Sequence, residues 1–240
     1  MNDKPMLMQG EMARATLEGR KTQTRRVVKH SRQCPIEFIG PEGDQDNPQC
    51  WGFEDPNTAT LWTLEPDGAS QKLPCPHGQP GDLLWVRETF RIYDSVDECA
   101  CYDHCECSRY HGKPMYFADG FSAGDELKWK PSIHMPRWAS RLTLLITDVR
   151  VERVQDISED DAVAEGALKM CMDGDGHFYL HESAGTFRTG FAGLWHHINA
   201  KRGYGWDANP WVWVIEYRAI EANVDDVKAN PERYGIGEAA

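Results

Sequence analysis

Hydrophobic spacing marks out the elements of this chain before any motif does. Met8, Met12 and Ala15, with Ala13, Thr16 and Leu17, recur at helical intervals through "GEMARATLEGR", and Gly19 stands where a helix end takes a left-handed residue. Residues 21–28, ending in Val27 and Val28, read as extended. Residues 34–80 are dense in Pro, Gly, Asp and Asn and predict long loops, with a hairpin around "TLWTL". "GDLLWVRETF" predicts a strand after a Gly-Asp turn, and residues 93–115 an inserted loop before "MYFADG". "RLTLLITDVRVERV", long and β-branched, is the strongest strand pattern. "DISEDDAVAEGA" opens a helix with Ser158 as N-cap, Asp161 three residues on and acids in the first turn. Residues 187–199 predict another helix, with Phe187, Phe191, Leu194, Trp195 and Ile198 as its core face, and "PWVWVIEYRAI" a closing strand. Beyond 221 the text is polar, shows no core face and reads as a mobile tail.

Strands with two or three helices around them predict an α+β fold, a small mixed β-barrel with flanking helices and inserted loops. The reading is one domain over residues 1–220, with insertions at about 34–77 and 93–113 and a tail over 221–240. At 240 residues the chain is long enough to bury a real core. No apolar stretch reaches the ~20 residues that cross a bilayer, and the N-terminal text has neither an apolar export segment nor a cleavage site. Both points predict a cytoplasmic protein with no membrane partner.

Charge changes the picture. The formal net charge is −12, yet residues 1–33 hold eight Lys/Arg against three Asp/Glu, leaving 18 against 35 in the rest. A negative field of that size argues against tight non-specific binding to long nucleic acid. A local basic site for a small nucleoside or nucleotide remains, and RNA is the second candidate partner. Its centre is "GRKTQTRR", which packs four cations and two threonines into eight positions.

Eight cysteines in a reducing compartment point to thiols or metal rather than disulfides. Cys99, Cys101, Cys105 and Cys107 lie in "CACYDHCEC", near His104 and His111. Residues i and i+2 of a strand share a face, so two short strands joined by a turn bring four sulfurs onto one ion. A structural zinc and a loop of free thiols stand as alternatives, and Cys34, Cys50 and Cys75 offer a different set. "DGDGH" at 173–177 lacks the carboxylate pattern of an EF-hand, and His196 and His197 read as a partly exposed helix face rather than metal ligands.

With these residues laid out, the chain resembles the ASCH family, a branch of the PUA-like β-barrel superfamily. "LEGRKTQTRR" resembles the family's GRKT-x-T-x-R signature and "GDLLWVRETF" its GD-x-L-x-V strand. "ISEDDAVAEG", followed distantly by "WVWVIEY", resembles its helix and closing strand, and "WKPSIHMPRWASR" a longer subfamily common in phages and prophages. The likeness spans roughly residues 5–30, 78–92, 114–170 and 187–219. Family members are described as RNA-binding modules, and small bacterial ones are amidohydrolases that deacetylate N4-acetylcytidine. The resemblance implies an amidohydrolase acting on an N4-acylated cytosine nucleoside, with Lys21 as base, Thr24 as nucleophile and Glu165 as proton donor. A non-catalytic RNA- or nucleotide-binding module of a phage or prophage is the alternative.

No cofactor is required for catalysis in this reading. Glu159 rivals Glu165, but a carboxylate near the end of its helix, where negative charge is disfavoured, suits a proton donor better. Arg20 and Arg26 of the basic turn, with His134, Arg137 and Arg141, are the candidate substrate-binding residues, and Trp129 or Trp138 the stacking rings. One geometric condition follows. On a regular strand, positions three apart face opposite sides, so Lys21 and Thr24 meet only if a turn or bulge crosses residues 20–24.

Overall fold

The computed structural model describes residues 1–29, 36–94, 111–120, 128–175, 177–181 and 183–237. In chain order the strands and helices are β1 (Asp3–Leu7), α1 (Gly10–Leu17), β2 (Gln23–Val27), β3 (Glu37–Phe38), β4 (Trp51–Glu54), β5 (Leu61–Thr63) and β6 (Gln71–Lys72). There follow β7 (Leu83–Arg87), β8 (Phe90–Ile92), β9 (Pro114–Tyr116), β10 (Thr143–Arg153) and α2 (Glu159–Ala164). The last are β11 (Met170–Met172), β12 (Phe178–Leu180), α3 (Phe187–Asn199), β13 (Trp211–Ile220) and α4 (Val224–Ala229). The fold is mixed α+β, as expected. The closed barrel is not formed: among the described residues the sheets are open. No described helix is long and apolar enough to cross a membrane.

The chain groups into two compact units. The first comprises residues 1–19, 82–145 and 218–240. In it β1 runs parallel to β7, Asp3 opposite Leu83, and β7 runs antiparallel to the start of β10, Trp85 opposite Thr143. Leu83, Trp85, Ile220, Val224 and Val227 form a core cluster. The last two correct the expectation of a coreless tail. Asn223 caps α4 by accepting from the Asp225 N–H at 2.9 Å, and Val224 and Val227, one turn apart, are fully buried. Two valines among acidic residues are too short a pattern to show helical period.

The same unit carries an ion network. Arg137 pairs with Asp3 and with Asp225 at 2.8 Å, and Lys228 reaches Asp3 at 2.6 Å. The hydrogen bond from Arg137 holds the Asp3 carboxyl down to about 2.

The second unit comprises residues 20–81 and 146–217. Its sheet runs β10-β13-β2, with β13 antiparallel to β2 from Glu216 opposite Gln23 to Val212 opposite Val27. Val154, Ile157, Phe191, Trp195, Val212 and Val214 form its core, so α3 packs on the sheet by the face its spacing predicts. The stretch read as long loops with a hairpin does hold the hairpin, β4 antiparallel to β5. The expectation of loops around it is corrected: the stretch folds into a four-stranded sheet, β3-β4-β5-β6. Its strands are two to four residues long, too short for alternation to register. α3 approaches its neighbour closely at Gly190, where a Cβ would lie 1.8 Å from the carbonyl oxygen of Leu168.

Two outcomes follow. Gly190→Ala, which gains about 1 kcal/mol in an ordinary helix, is expected here to lower stability by roughly 1–3 kcal/mol in urea unfolding, because α3 must lift off Leu168. Asp3 titrates below its ordinary 3.8 when folded, so its contribution is present above that pH and is lost as pH falls toward about 2. Asp3→Asn should therefore flatten the acid limb of the stability curve between about pH 4 and 2, measured by chemical unfolding across pH.

Candidate active site

The site begins at the end of a short helix. Ser158 caps α2 by accepting from the Asp161 N–H at 3.0 Å, as its sequence predicts. Seven residues later the helix stops at Glu165, because Gly166 adopts φ 77°. The Gly166 N–H bonds to Val163 O at 2.8 Å and the Ala167 N–H to Ala162 O at 3.1 Å, the paired bonds of a Schellman end. The next carbonyls out are left to other partners. Ala164 O accepts from the Thr22 N–H at 2.8 Å, and Glu165 O accepts from Lys21 Nζ at 2.7 Å. The helix end thus takes a cation, which its dipole favours.

Lys21 Nζ also donates to Glu165 Oε2 at 2.5 Å, in a pair only 3% and 5% exposed. The second oxygen of the carboxylate, Oε1, accepts from Arg25 Nη1 at 3.3 Å. Arg25 donates in addition to Gln23 Oε1 at 2.6 Å, to Asp161 Oδ2 at 3.2 Å and to Glu152, and its guanidinium lies 5.6 Å from the Phe191 ring centre. Gln23 donates to Asp161 at 2.8 Å, and Arg150 bridges Asp161, at 3.3 Å, and Glu216. Burial pushes the Lys21 amine below its ordinary range; the Glu165 carboxylate pulls it back, and Arg26 and Arg25 push it further down.

Strand alternation explains who meets whom. Lys21, Gln23 and Arg25 project to the face that carries these carboxylates. Thr22, Thr24 and Arg26 alternate with them; Thr24 lies opposite Ile215 and Arg26 opposite Trp213. Thr24 is buried, and among the described residues no hydrogen bond joins its hydroxyl to Lys21. Lys21 and Glu165 are therefore in direct contact, while Thr24 stands on the opposite face and the turn or bulge that would bring it to Lys21 is not formed.

Other candidates have other places. Glu159 accepts from the Phe187 and Arg188 N–H groups at 2.7 and 3.0 Å, so it caps α3. Arg20 is exposed and Arg26 half-buried. His134, Arg137 and Arg141 belong to the first unit, where His134 is exposed. There Arg137 holds its network, and Arg141 pairs with the buried Glu88 at 3.0 Å and Asp119 at 2.7 Å. Trp129 packs edge-on against Phe117, and Trp138 is 60% exposed. Cys99, Cys101, Cys105, Cys107 and Cys34 lie outside the described residues, whereas Cys50 and Cys75 are described and half-buried. Asp173, Asp175 and His177 converge in an exposed turn, where Asp173 Oδ1 accepts from the N–H groups of Asp175 and His177.

Sequence reasoning missed Gln23, Arg25, Glu152 and Asp161. A signal existed: Lys21, Gln23 and Arg25 alternate, and Asp161 and Glu165 are four apart on one helix face. Removing one partner of a buried ion pair leaves the other charge uncompensated. Lys21→Met is thus expected to cost on the order of 3–5 kcal/mol in urea unfolding, and the double variant Lys21→Met/Glu165→Leu to recover most of that loss. Comparison with protein-family models, with curated proteins and with solved structures found no match, so the functional reading stands on this geometry and on the motif.

Proposed function

We propose that this chain, whose basic turn resembles the ASCH signature, hydrolyses the N4-acyl amide of a cytosine nucleoside or nucleotide of the N4-acetylcytidine kind. The observation that carries the reading is the state of Lys21. Amide hydrolysis at neutral pH needs a base, and a lysine serves only when its proton is loosely held. Burial loosens it here. Glu165 accepts two of the N–H donors of Lys21, through its backbone oxygen at 2.7 Å and Oε2 at 2.5 Å. The third position on Nζ, which carries the proton that a base must give up, is then directed away from Glu165.

In this reading the segment of residues 20–24 must bend on substrate binding, since Thr24 and Lys21 stand on opposite faces. Lys21 then takes the proton of the Thr24 hydroxyl as Thr24 Oγ1 bonds to the acyl carbon. The carbon–nitrogen bond then breaks. The departing N4 amine takes back a proton from the Lys21–Glu165 pair, within which the Nζ–Oε2 distance of 2.5 Å permits transfer. Water cleaves the acyl-threonine ester, releasing the carboxylate and restoring the hydroxyl. Arg26, next along the Thr24 face, supplies a planar cation for the base carbonyl or a phosphate.

A second reading has an observation of its own. Thr24 lies on the strand face opposite Lys21, which favours a non-catalytic nucleotide- or RNA-binding module. Chromatography of N4-acetylcytidine incubated with purified protein separates the two. Wild type is expected to release cytidine, with Lys21→Ala and Thr24→Ala reducing the rate by roughly 10²–10⁴ and Thr24→Ser retaining part of it. Absence of turnover on the nucleoside and its deoxy form, with nucleoside binding still seen by calorimetry, would replace the hydrolase with the binding module.

A further inference from the structure

We infer that Arg25 is a positioning residue for the Lys21–Glu165 pair: by holding the second carboxylate oxygen it fixes Glu165 against Lys21 and keeps an unchanging positive charge beside the lysine while Lys21 gives up and regains its proton. The inference deepens the proposed function and rests on it only for the kinetic part.

The geometry divides the Glu165 carboxylate between two cations, Oε2 to Lys21 at 2.5 Å and Oε1 to Arg25 at 3.3 Å. A buried carboxylate with a single cationic partner must either hold that partner's proton in place or take it up itself. With two, one partner can become neutral while the carboxylate stays charged and hydrogen-bonded. Only one of the two can do so, because a guanidinium does not lose its proton in a protein. Arg25 is therefore the fixed charge and Lys21 the variable one.

Arg25 is held in place on every side. Its side chain is fully buried. Gln23, Glu152 and Asp161 take its remaining donors, Arg150 braces Asp161, and the Phe191 ring lies beside the guanidinium plane. The charged groups around Lys21 are then Glu165 from the end of α2, Arg25 and Arg26 from β2, and, one shell out, Glu152 and Arg150 from β10, Asp161 from α2 and Glu216 from β13. No described carboxylate but Glu165 touches Lys21 Nζ.

Opposite-signed consequences follow for two substitutions. Arg25→Gln removes the fixed positive charge and leaves Glu165 to Lys21 alone, so Lys21 holds its proton more tightly. Glu152→Gln leaves Arg25 in place but removes one of its counter-charges, so the net positive field at Lys21 grows and the proton is held less tightly.

The experiment follows the ε-carbon resonance of Lys21 by NMR on uniformly folded, lysine-labelled protein across pH, the signal being assigned by its loss in Lys21→Met. The midpoint is expected to move up by about one pH unit in Arg25→Gln, down in Glu152→Gln, and to stay near wild type in Arg25→Lys, which restores the charge. The alkaline-rising limb of kcat against pH should move with it, KM changing little. A midpoint that stays fixed in Arg25→Gln, or moves up or not at all in Glu152→Gln, overturns the inference. If Arg25→Gln does not fold, Glu152→Gln decides alone, since that carboxylate is partly solvated. The titration needs no substrate: the expected shifts in a protein that hydrolyses nothing would overturn the proposed reaction and leave the role of Arg25 standing.

Discussion

Two cations taken almost wholly out of water, Lys21 and Arg25, set the terms for the second unit. Each buried ion costs several kcal/mol unless its geometry is good and its remaining donors are satisfied. The carboxylates of Glu152, Asp161 and Glu165 meet that demand, and they arrive from different elements: the long strand β10 and the two ends of α2. Strand β2, helix α2 and strand β10 are thereby locked in one register, because a shift of a single residue in β2 would turn Lys21 and Arg25 to the opposite face.

The way α2 ends makes this possible. A six-residue helix has little stability of its own. Its start is fixed by the Ser158 cap and its end by Gly166, and its last carbonyls are given to Lys21 and Thr22 rather than to water. Negative charge is unfavourable at that end, so Glu165 depends on the cations that face it. The dependence is mutual. The same desolvation that weakens the unit as a structure loosens the hold of the Lys21 amine on its proton.

Much of the frame was legible in the sequence where a pattern ran long enough. α3 spans the residues its core face marked, β10 and β13 follow their β-branched runs, and Ser158 caps where it should. Short elements were not legible. The strands of residues 37–72 hold two to four residues each, and α4 shows only two core valines, so periodicity had nothing to sum over. The barrel expectation failed for a related reason: alternation says that strands exist, not whether the sheet closes.

The candidate site divides the same way. The basic turn and its resemblance singled out Lys21, and the helix-dipole argument preferred Glu165 to Glu159; the two now lie 2.5 Å apart. Arg25 stands in the sequence only as one of the four cations of the basic turn, because its importance lies in Glu152 and Asp161, more than a hundred residues away in sequence. Thr24 shows the converse. Its spacing from Lys21 is a sequence fact, but which face it takes depends on β2 being a regular strand paired with β13. Local chemistry — caps, helix ends, alternation and the types of reactive side chain — was determined by sequence alone, because those effects act within a few residues. Which charges lose their water, and which carboxylate answers which cation, only the tertiary structure decided, because desolvation and ion pairing are set by groups distant along the chain.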